Sequence, residues 1–507
     1  VYQLPIPTDD PTLLANGLKI MRDWAQEALL DPKEIESERG VILEEERLTK
    51  GAKDRMAHKY YPMMLNHSRY ALRLPIGIDS ILINFKPATI KRFYNDWYRP
   101  DLQALIVVGD VDIDAVEKII KSRFSDLKTP ANERPRIAYT IPLDGKNQFM
   151  AVTDKEMSGT SLQIMYKHKA AELKTEADYV EMMKRFLFGQ MIASRRYQEI
   201  SRLNNSAFAN MGMSIQPLLG GAEAFVFNVE AKEGRLPQAF AQSWSFLEKL
   251  KRFGFTQAEL DQAKQNYLRS FETSLKEKDK TPSVNFVKEY QNLFLHQLAA
   301  PGIEWENTFA KNHIGAIQLT DINGVLKAQL QETNHDILIL APEKDKSSLP
   351  DSATVMAWID AAGKAPLQPF KDEQVTAKLM AVKPVAGKVT EKKLIPEIGV
   401  TTLKLSNGVK VILKPTDFKN DQIIFRGFSP GGTSLYNDDE YDNAANAAAL
   451  VSHFGLANFN PIQLNQVLNG KVMNVSAAIG LRNETINGSS SIADLETALQ
   501  VAYLQFT

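Results

Sequence analysis

The sequence predicts an α+β protein of repeated modules, with antiparallel-rich sheets covered by helices on one face. Three observations predict it. Short β-branched and aromatic runs such as FMAVTD, SLQIMYKH and HDILILAP alternate with helical segments of 12 residues and more. An Asn-Gly hairpin signal opens a new domain late in the chain. Finally, the pattern of LANGLKIMRDWA, from Leu14, returns as LETALQVAYLQF, from Leu495, an offset of 481.

Taken in order, residues 1–137 read as a strand (VYQLPI), a helix from Pro11 to Leu30, a second helix from about residue 32, a loop-rich stretch to about residue 87, a helix from Pro87 to Tyr98, the strand ALIVVGDV and a helix from Asp114 to Phe124. Residues 145–361 hold the strands FMAVTD, SLQIMYKH, AFVFNVEA and HDILILAP, a helix over about 174–203, and long helices interrupted near Gly254 and Pro282. Residues 362–398, rich in Lys, Ala and Pro with little helical period, read as an extended linker. A further module occupies 399–507, opening on the hairpin LKLSNGVKVIL. The repeat offset implies that this module is a second copy cut short, and that about eighty residues precede Val1 in the parent protein, which the chain enters in mid-strand. The expectation is therefore a fragment.

Composition excludes several classes of function. Lys and Arg total 60 against 61 Asp and Glu, so no global field recruits nucleic acid or an anionic surface. Cysteine is absent, which removes disulfides, thiolate metal sites and cysteine nucleophiles. No apolar run approaches a membrane span, and there is no phosphate-cradling glycine loop, since Pro430-Gly431-Gly432 reads as a turn.

The stretch EIESERGVILEEER, residues 34–47, carries the candidate chemistry. Asp31 as cap and Pro32 in the first turn start its helix. Ile35, Glu38, Ile42 and Glu45 then recur at three, four and three, one helical face, which places Glu45 beside Val41, Ile42, Leu48 and Thr49 and sends Glu44 and Glu46 away with Arg47 and Lys50. A carboxylate among apolar neighbours must be neutralised, paired or bound to a metal. Glu38 lies two turns earlier, about 10 Å along the axis, too far to share one small ion directly. On these residues alone, an ion pair with Arg or Lys of a neighbouring element and metal ligation both remain open.

Four segments in order, IESERGVILEEE (35–46), YALRLPIGIDSI (70–81), FYNDWYRPDLQALIVVGDVD (93–112) and GFTQAELDQAKQNYL (254–268), make the chain resemble the pitrilysin/insulinase family of zinc metallopeptidases, to which the mitochondrial processing peptidases are related. The resemblance covers essentially the whole chain. It implies repeated metallopeptidase modules, with 1–137 the remainder of the zinc-bearing one, 145–361 a second module without metal and 399–507 the start of an inactive second half. In that family an inverted motif, His-x-x-Glu-His, gives two zinc ligands and the general base, and a glutamate some seventy residues later gives the third ligand. Matched residue by residue, the ligand is Glu45, and Glu38 is the assisting glutamate behind it. Such a site leaves an open position where zinc lowers the pKa of a water.

No pair among the seven histidines has the motif's spacing, so the resemblance puts the missing ligands in an upstream segment and one zinc ion in the full-length parent, with the site incomplete here. In the second copy the counterpart reads DNAANAAALVSHFG, which offers Ala445, Ala448 and Ala449 in place of ligands, with His453 alone nearby. The implied function is a zinc-dependent endopeptidase acting on peptides or small unfolded proteins, which add as a strand to a sheet edge. The alternative is a non-catalytic, peptidase-like scaffold or partner subunit. This chain alone is expected to bind no zinc tightly and to cleave nothing. The expected compartment is the periplasm, with the cytoplasm as alternative; the oligomeric state is not legible.

Overall fold

The computed structural model describes residues 1–203, 205–371 and 377–506. The chain divides into two compact units. Unit 1 comprises 1–254, 282–300 and 320–369; unit 2 comprises 255–281, 301–319 and 370–507.

The elements run in chain order as α1 (Pro11–Gln26), α2 (Pro32–Thr49), α3 (Ala52–Met64), α4 (Asp79–Asn84), α5 (Pro87–Trp97) and α6 (Ile113–Phe124), then β1 (Gln148–Asp154), β2 (Thr160–Lys169), α7 (Glu176–Ser201), β3 (Phe208–Pro217), β4 (Ala222–Ala231) and α8 (Leu236–Phe253). After these come α9 (Gln257–Lys276), α10 (Ser283–His296), α11 (Ile303–His313), α12 (Leu319–Gln329), β5 (His335–Pro342) and α13 (Ser352–Lys364). The rest is β6 (Val389–Ile395), β7 (Val400–Leu405), β8 (Lys410–Leu413), β9 (Ile423–Pro430), α14 (Tyr441–Phe454), α15 (Pro461–Val467), β10 (Met473–Ile479), β11 (Asn483–Ser490) and α16 (Leu495–Leu504).

Unit 1 is organised on a five-stranded sheet ordered β1-β5-β2-β4-β3, antiparallel except for the β1–β5 pair. Strand β2 is buried almost throughout because both of its faces are covered. Leu162 and Ile164 lie on the side of α7 and α8, whereas Met165 packs with Ala224, Val226 and Met64 at the end of α3. The α8 side is sealed by aromatic packing: Trp244 stacks on Phe240 with centroids 5.2 Å apart and meets Phe227 of β4 edge-on at 4.8 Å. On the opposite side Met56 and Met63 of α3 bury against Val152 of β1 and Leu338 of β5.

Helix α3 is tied to the sheet at both ends. At its start Arg55 forks onto Asp154, at 2.8 and 2.6 Å, and reaches Glu156 at 2.8 Å. Past its end the fully buried Lys167 Nζ donates to Asn66 Oδ1 at 2.5 Å and Asp336 Oδ2 at 2.6 Å, and Gln148 Nε2 donates to the same two residues at 2.7 and 3.2 Å. Asn66 sits in the left-handed region at φ 48°, where a short polar side chain is tolerated.

Unit 2 contains the three-stranded antiparallel sheets β6-β7-β8 and β10-β11-β9. The β7–β8 hairpin turns at Asn407-Gly408, with Gly408 at φ 89°, as the sequence signal requires. Asp494, before α16, is a buried polar hub: Arg269 of α9 donates to it at 2.7 Å, Lys471 lies at 3.1 Å, and the Val472 N–H and Ser491 hydroxyl donate at 2.9 and 2.8 Å.

Several sequence expectations need correction. VYQLPI and ALIVVGDV form no strand among the described residues, because an apolar run becomes a strand only beside a strand that takes its hydrogen bonds. The stretch read as loop-rich contains α3 and α4. Pro62 lies in the last turn of α3, where it withholds one backbone N–H from the helix shortly before its end. Strand β3 was not foreseen, since Gly212 and Asn210 dilute its alternation. Residues 389–395, expected in the linker, form β6 against β7; residues 372–376 of that segment, and Asn204 between α7 and β3, lie outside the described residues.

Candidate functional site

Helix α2 begins as its sequence dictates: the Asp31 side chain accepts the Lys33 N–H at 2.7 Å and Pro32 occupies the first turn. Its rotation about its axis differs from the sequence expectation. The half-buried positions are Ile35, Arg39, Ile42, Leu43 and Glu46, a stripe centred on Arg39. The outward stripe holds Val41, 56% exposed, and Leu48, 72% exposed. Glu38 and Glu45, about 20° apart in azimuth at seven residues' spacing, stand exposed on the flank between the two stripes. Glu46, expected to point away, is turned inward: its side chain is 12% exposed and pairs with Lys50 at 3.1 Å. The sequence pattern misled because Val41 and Leu48 look like core residues; in this chain they face outward.

The inward stripe is held by polar grips on the residues after α3. Arg39 donates from Nη1 to the Leu82 carbonyl and from Nη2 to the Phe85 carbonyl at 2.8 Å, and its guanidinium lies 4.0 Å over the Phe85 ring. Glu36 holds the same guanidinium from below with two bonds of 2.9 Å, which lowers the Glu36 carboxyl's pKa. Lys50 reaches Asp79 of α4 at 2.8 Å, and the Asp79 carboxyl is held below its ordinary range by hydrogen bonding with Glu46 and Lys50. The exposed Glu44–Arg47 pair, at 2.6 Å, is solvated and contributes little.

Neither Glu38 nor Glu45 makes an ion pair or a side-chain hydrogen bond among the described residues. The reading in which a neighbouring cation neutralises Glu45 thus has no counterpart in the structure. Nor do three or more His, Asp or Glu side chains converge anywhere among the described residues in a way that could hold a metal. The histidines are engaged locally or scattered: His58 lies 3.4 Å from Asp54 on α3, His168 Nε2 lies 3.0 Å from the Gln329 carbonyl, and His313 Nδ1 lies 2.9 Å from the Phe309 carbonyl. A catalytic zinc site needs three protein donors, and no such set is assembled among the described residues.

In unit 2 the alanine-rich segment is helix α14, which carries Ala445, Ala448, Ala449 and His453; among the described residues no group of His, Asp and Glu there could hold a metal. Between α7 and its neighbours, Arg196 donates to the Met211 carbonyl at 2.7 Å and Lys249 pairs with Glu199 at 2.7 Å, joining α7 to β3 and α8. The grip of Arg39 was missed by sequence reading, although an Arg three residues after Glu36 on one helix was available as a signal.

Among the described residues no helix is long and apolar enough to cross a membrane. The family model described as the Peptidase M16 inactive domain matches residues 84–267, a span that begins after α2 and so leaves Glu38 and Glu45 untouched. A zinc protease PQQL-like protein of Arabidopsis thaliana is 27% identical over the whole of this chain, which covers 48% of its length. A probable zinc protease PqqL of Haemophilus influenzae is 22% identical, again over the whole chain and 54% of its own length. The chain thus spans about half the length of these curated relatives. The crystal structure of the periplasmic protease PqqL from Escherichia coli superposes on 98% of this chain, and on 55% of its own, with a TM-score of 0.66 at 19% identity. With an antiparallel-rich α+β architecture like that of this protease, zinc proteases matched along its full length and the M16 inactive-domain model matched at its centre, the chain is similar throughout to the pitrilysin/insulinase peptidases, M16.

Proposed function

We propose that this chain is part of a two-half zinc endopeptidase, in which Glu45 is the third protein ligand of the ion and Glu38 the assisting carboxylate behind it. The observation that carries the reading is the state of α2: two carboxylates with no cation partner among the described residues, two turns apart on one exposed flank beside the uncovered Val41 and Leu48. Unpaired carboxylates beside uncovered apolar residues suit a helix that meets a further element bearing metal ligands.

The two histidines and the general base belong, on this reading, to a segment outside the present chain, so the 507 residues alone bind no zinc tightly. Residues 1–137 are the remainder of the metal-bearing module and 145–361 its metal-free neighbour. Residues 365–388 link them to a second half that opens on β6 and whose α14 lacks ligands. The substrates are peptides or small unfolded proteins, bound by strand addition, which asks for an extended main chain more than for a sequence. The zinc-protease names of the relatives support the chemistry, and the periplasmic neighbour supports a periplasmic location.

The test is metal analysis and cleavage of a quenched fluorescent peptide library by the complete gene product, with and without chelator, beside Glu45→Gln. Chelator-sensitive cleavage that Glu45→Gln abolishes is the expected result. A folded, zinc-free and inert complete protein would sink the proposal.

A further inference from the structure

We infer that Arg39 is the positioning residue of this site: it sets the rotation of α2 about its own axis and thereby aims Glu45 and Glu38. The inference rests on Glu45 being a ligand for its consequence, but not for its geometry.

At about 100° per residue, Glu38 and Glu45 lie about 100° and 120° from Arg39, on the same side. Val41 and Leu48 lie nearly opposite Arg39, and Ile35, Ile42 and Glu46 within about 60° of it. This matches the burial: the stripe around Arg39 is half-buried and the stripe opposite is open. The apolar content of α2 selects that rotation only weakly, because Val41 and Leu48 on the outward face oppose Ile35, Ile42 and Leu43 on the inward one. Hydrophobic patterning would accept a roll that brings Val41 inward and swings Glu45 with it.

Arg39 breaks the tie. Its side chain is 13% exposed, its fork spans the Leu82 and Phe85 carbonyls at the end of α4, and Phe85 lies under its plane. Those carbonyls are end groups of a short helix that need donors, and a planar guanidinium reaches both where an ammonium reaches one. Glu36, one turn earlier, holds the fork in orientation. The second contact, Lys50 to Asp79, lies eleven residues on and stops α2 from pivoting about the first.

The chain has no cysteine, so single thiols report the rotation cleanly. Val41→Cys and Ile42→Cys are prepared separately in the Arg39 and Arg39→Leu backgrounds, and labelling rates are measured together with hydrogen exchange of β2 and β4. With Arg39 in place the thiol at 41 reacts on the order of tenfold faster than that at 42. In Arg39→Leu the ratio falls toward one while β2 and β4 keep their protection. Arg39→Lys, which keeps the charge but not the fork, behaves like Arg39→Leu. An unchanged ratio overturns the inference, and so does loss of protection across the sheet, since Arg39 would then serve the fold as a whole.

In the complete gene product Arg39→Lys lowers kcat by about a hundredfold with KM little changed, the cost of a displacement of about 1 Å at a reacting group. A thiol ratio that responds while zinc content and kcat do not would leave Arg39 as the rotational clamp and remove Glu45 from the metal.

Discussion

The polar lock between α3 and the sheet gives a prediction whose size follows from its geometry. Lys167 and Asp336 are both fully buried, with 2.6 Å between Nζ and Oδ2, and the ammonium's other close acceptor is Asn66 Oδ1 at 2.5 Å. Replacing Asp336 by Ala leaves a buried ammonium beside neutral acceptors only, Asn66 Oδ1 and the Met64 carbonyl at 3.4 Å, and deprives Gln148 Nε2 of its 3.2 Å partner. Breaking a buried pair from one side costs about 3–5 kcal/mol, and the lost neutral bond adds little. Against a domain stability of about 5–15 kcal/mol this is a large fraction. With a urea dependence of about 2–3 kcal/mol per molar, the midpoint falls by about 1–2 M. The assay is urea unfolding followed by tryptophan fluorescence, to which Trp244 in the α8 layer of the same sheet contributes. The double replacement Lys167→Met with Asp336→Leu removes both charges together and recovers to within about 1 kcal/mol of the parent. A loss below about 1 kcal/mol for Asp336→Ala alone would refute the reasoning, since the ammonium would then have found water or another acceptor.

Further outcomes are expected elsewhere. Burial works to raise the Asp494 carboxyl, but the Val472 N–H, Ser491, Lys471 and Arg269 outweigh it and hold the pKa at about 2. A depressed carboxyl gives stability that is complete above its unfolded value near 4 and lost as pH falls through the folded one, so unit 2 weakens by about 2 kcal/mol between pH 4 and pH 2. Asp494→Asn flattens that acid limb in a pH series of thermal melts. Gly408→Ala, at φ 89°, destabilises the β7–β8 hairpin by about 1 kcal/mol, read as faster hydrogen exchange of the Leu405 amide. Asp31→Ala removes the cap on α2 and costs about 1 kcal/mol of local helix stability, measured by exchange of the Ile35 amide.

What was legible in the sequence was whatever is fixed by local chemistry. Asp31-Pro32 starts α2, Asn407-Gly408 turns a hairpin, and the β-branched runs of β1, β2, β4 and β5 read as strands because they are buried on one or both faces. What was not legible depends on neighbours. Apolar segments such as ALIVVGDV become strands only when another strand takes their hydrogen bonds, and helix α3 owes its place to Arg55, Lys167 and two methionines, in contacts with a sheet built from residues about ninety and more positions along the chain. The candidate site shows the same division. Glu38 and Glu45 were found as a spaced pair on one helix, but the rotation of that helix is decided by Arg39 gripping two carbonyls more than forty residues away, which no periodicity contains.

The most direct test of the account is zinc content and chelator-sensitive cleavage of the complete gene product with Glu45 intact and with Glu45→Gln. The account predicts about one zinc per chain and cleavage that chelator removes, both lost in Glu45→Gln while the fold is kept. Full zinc and full activity in Glu45→Gln would contradict the assignment of the ligand, and a folded parent with neither zinc nor activity would make the chain part of a non-catalytic scaffold.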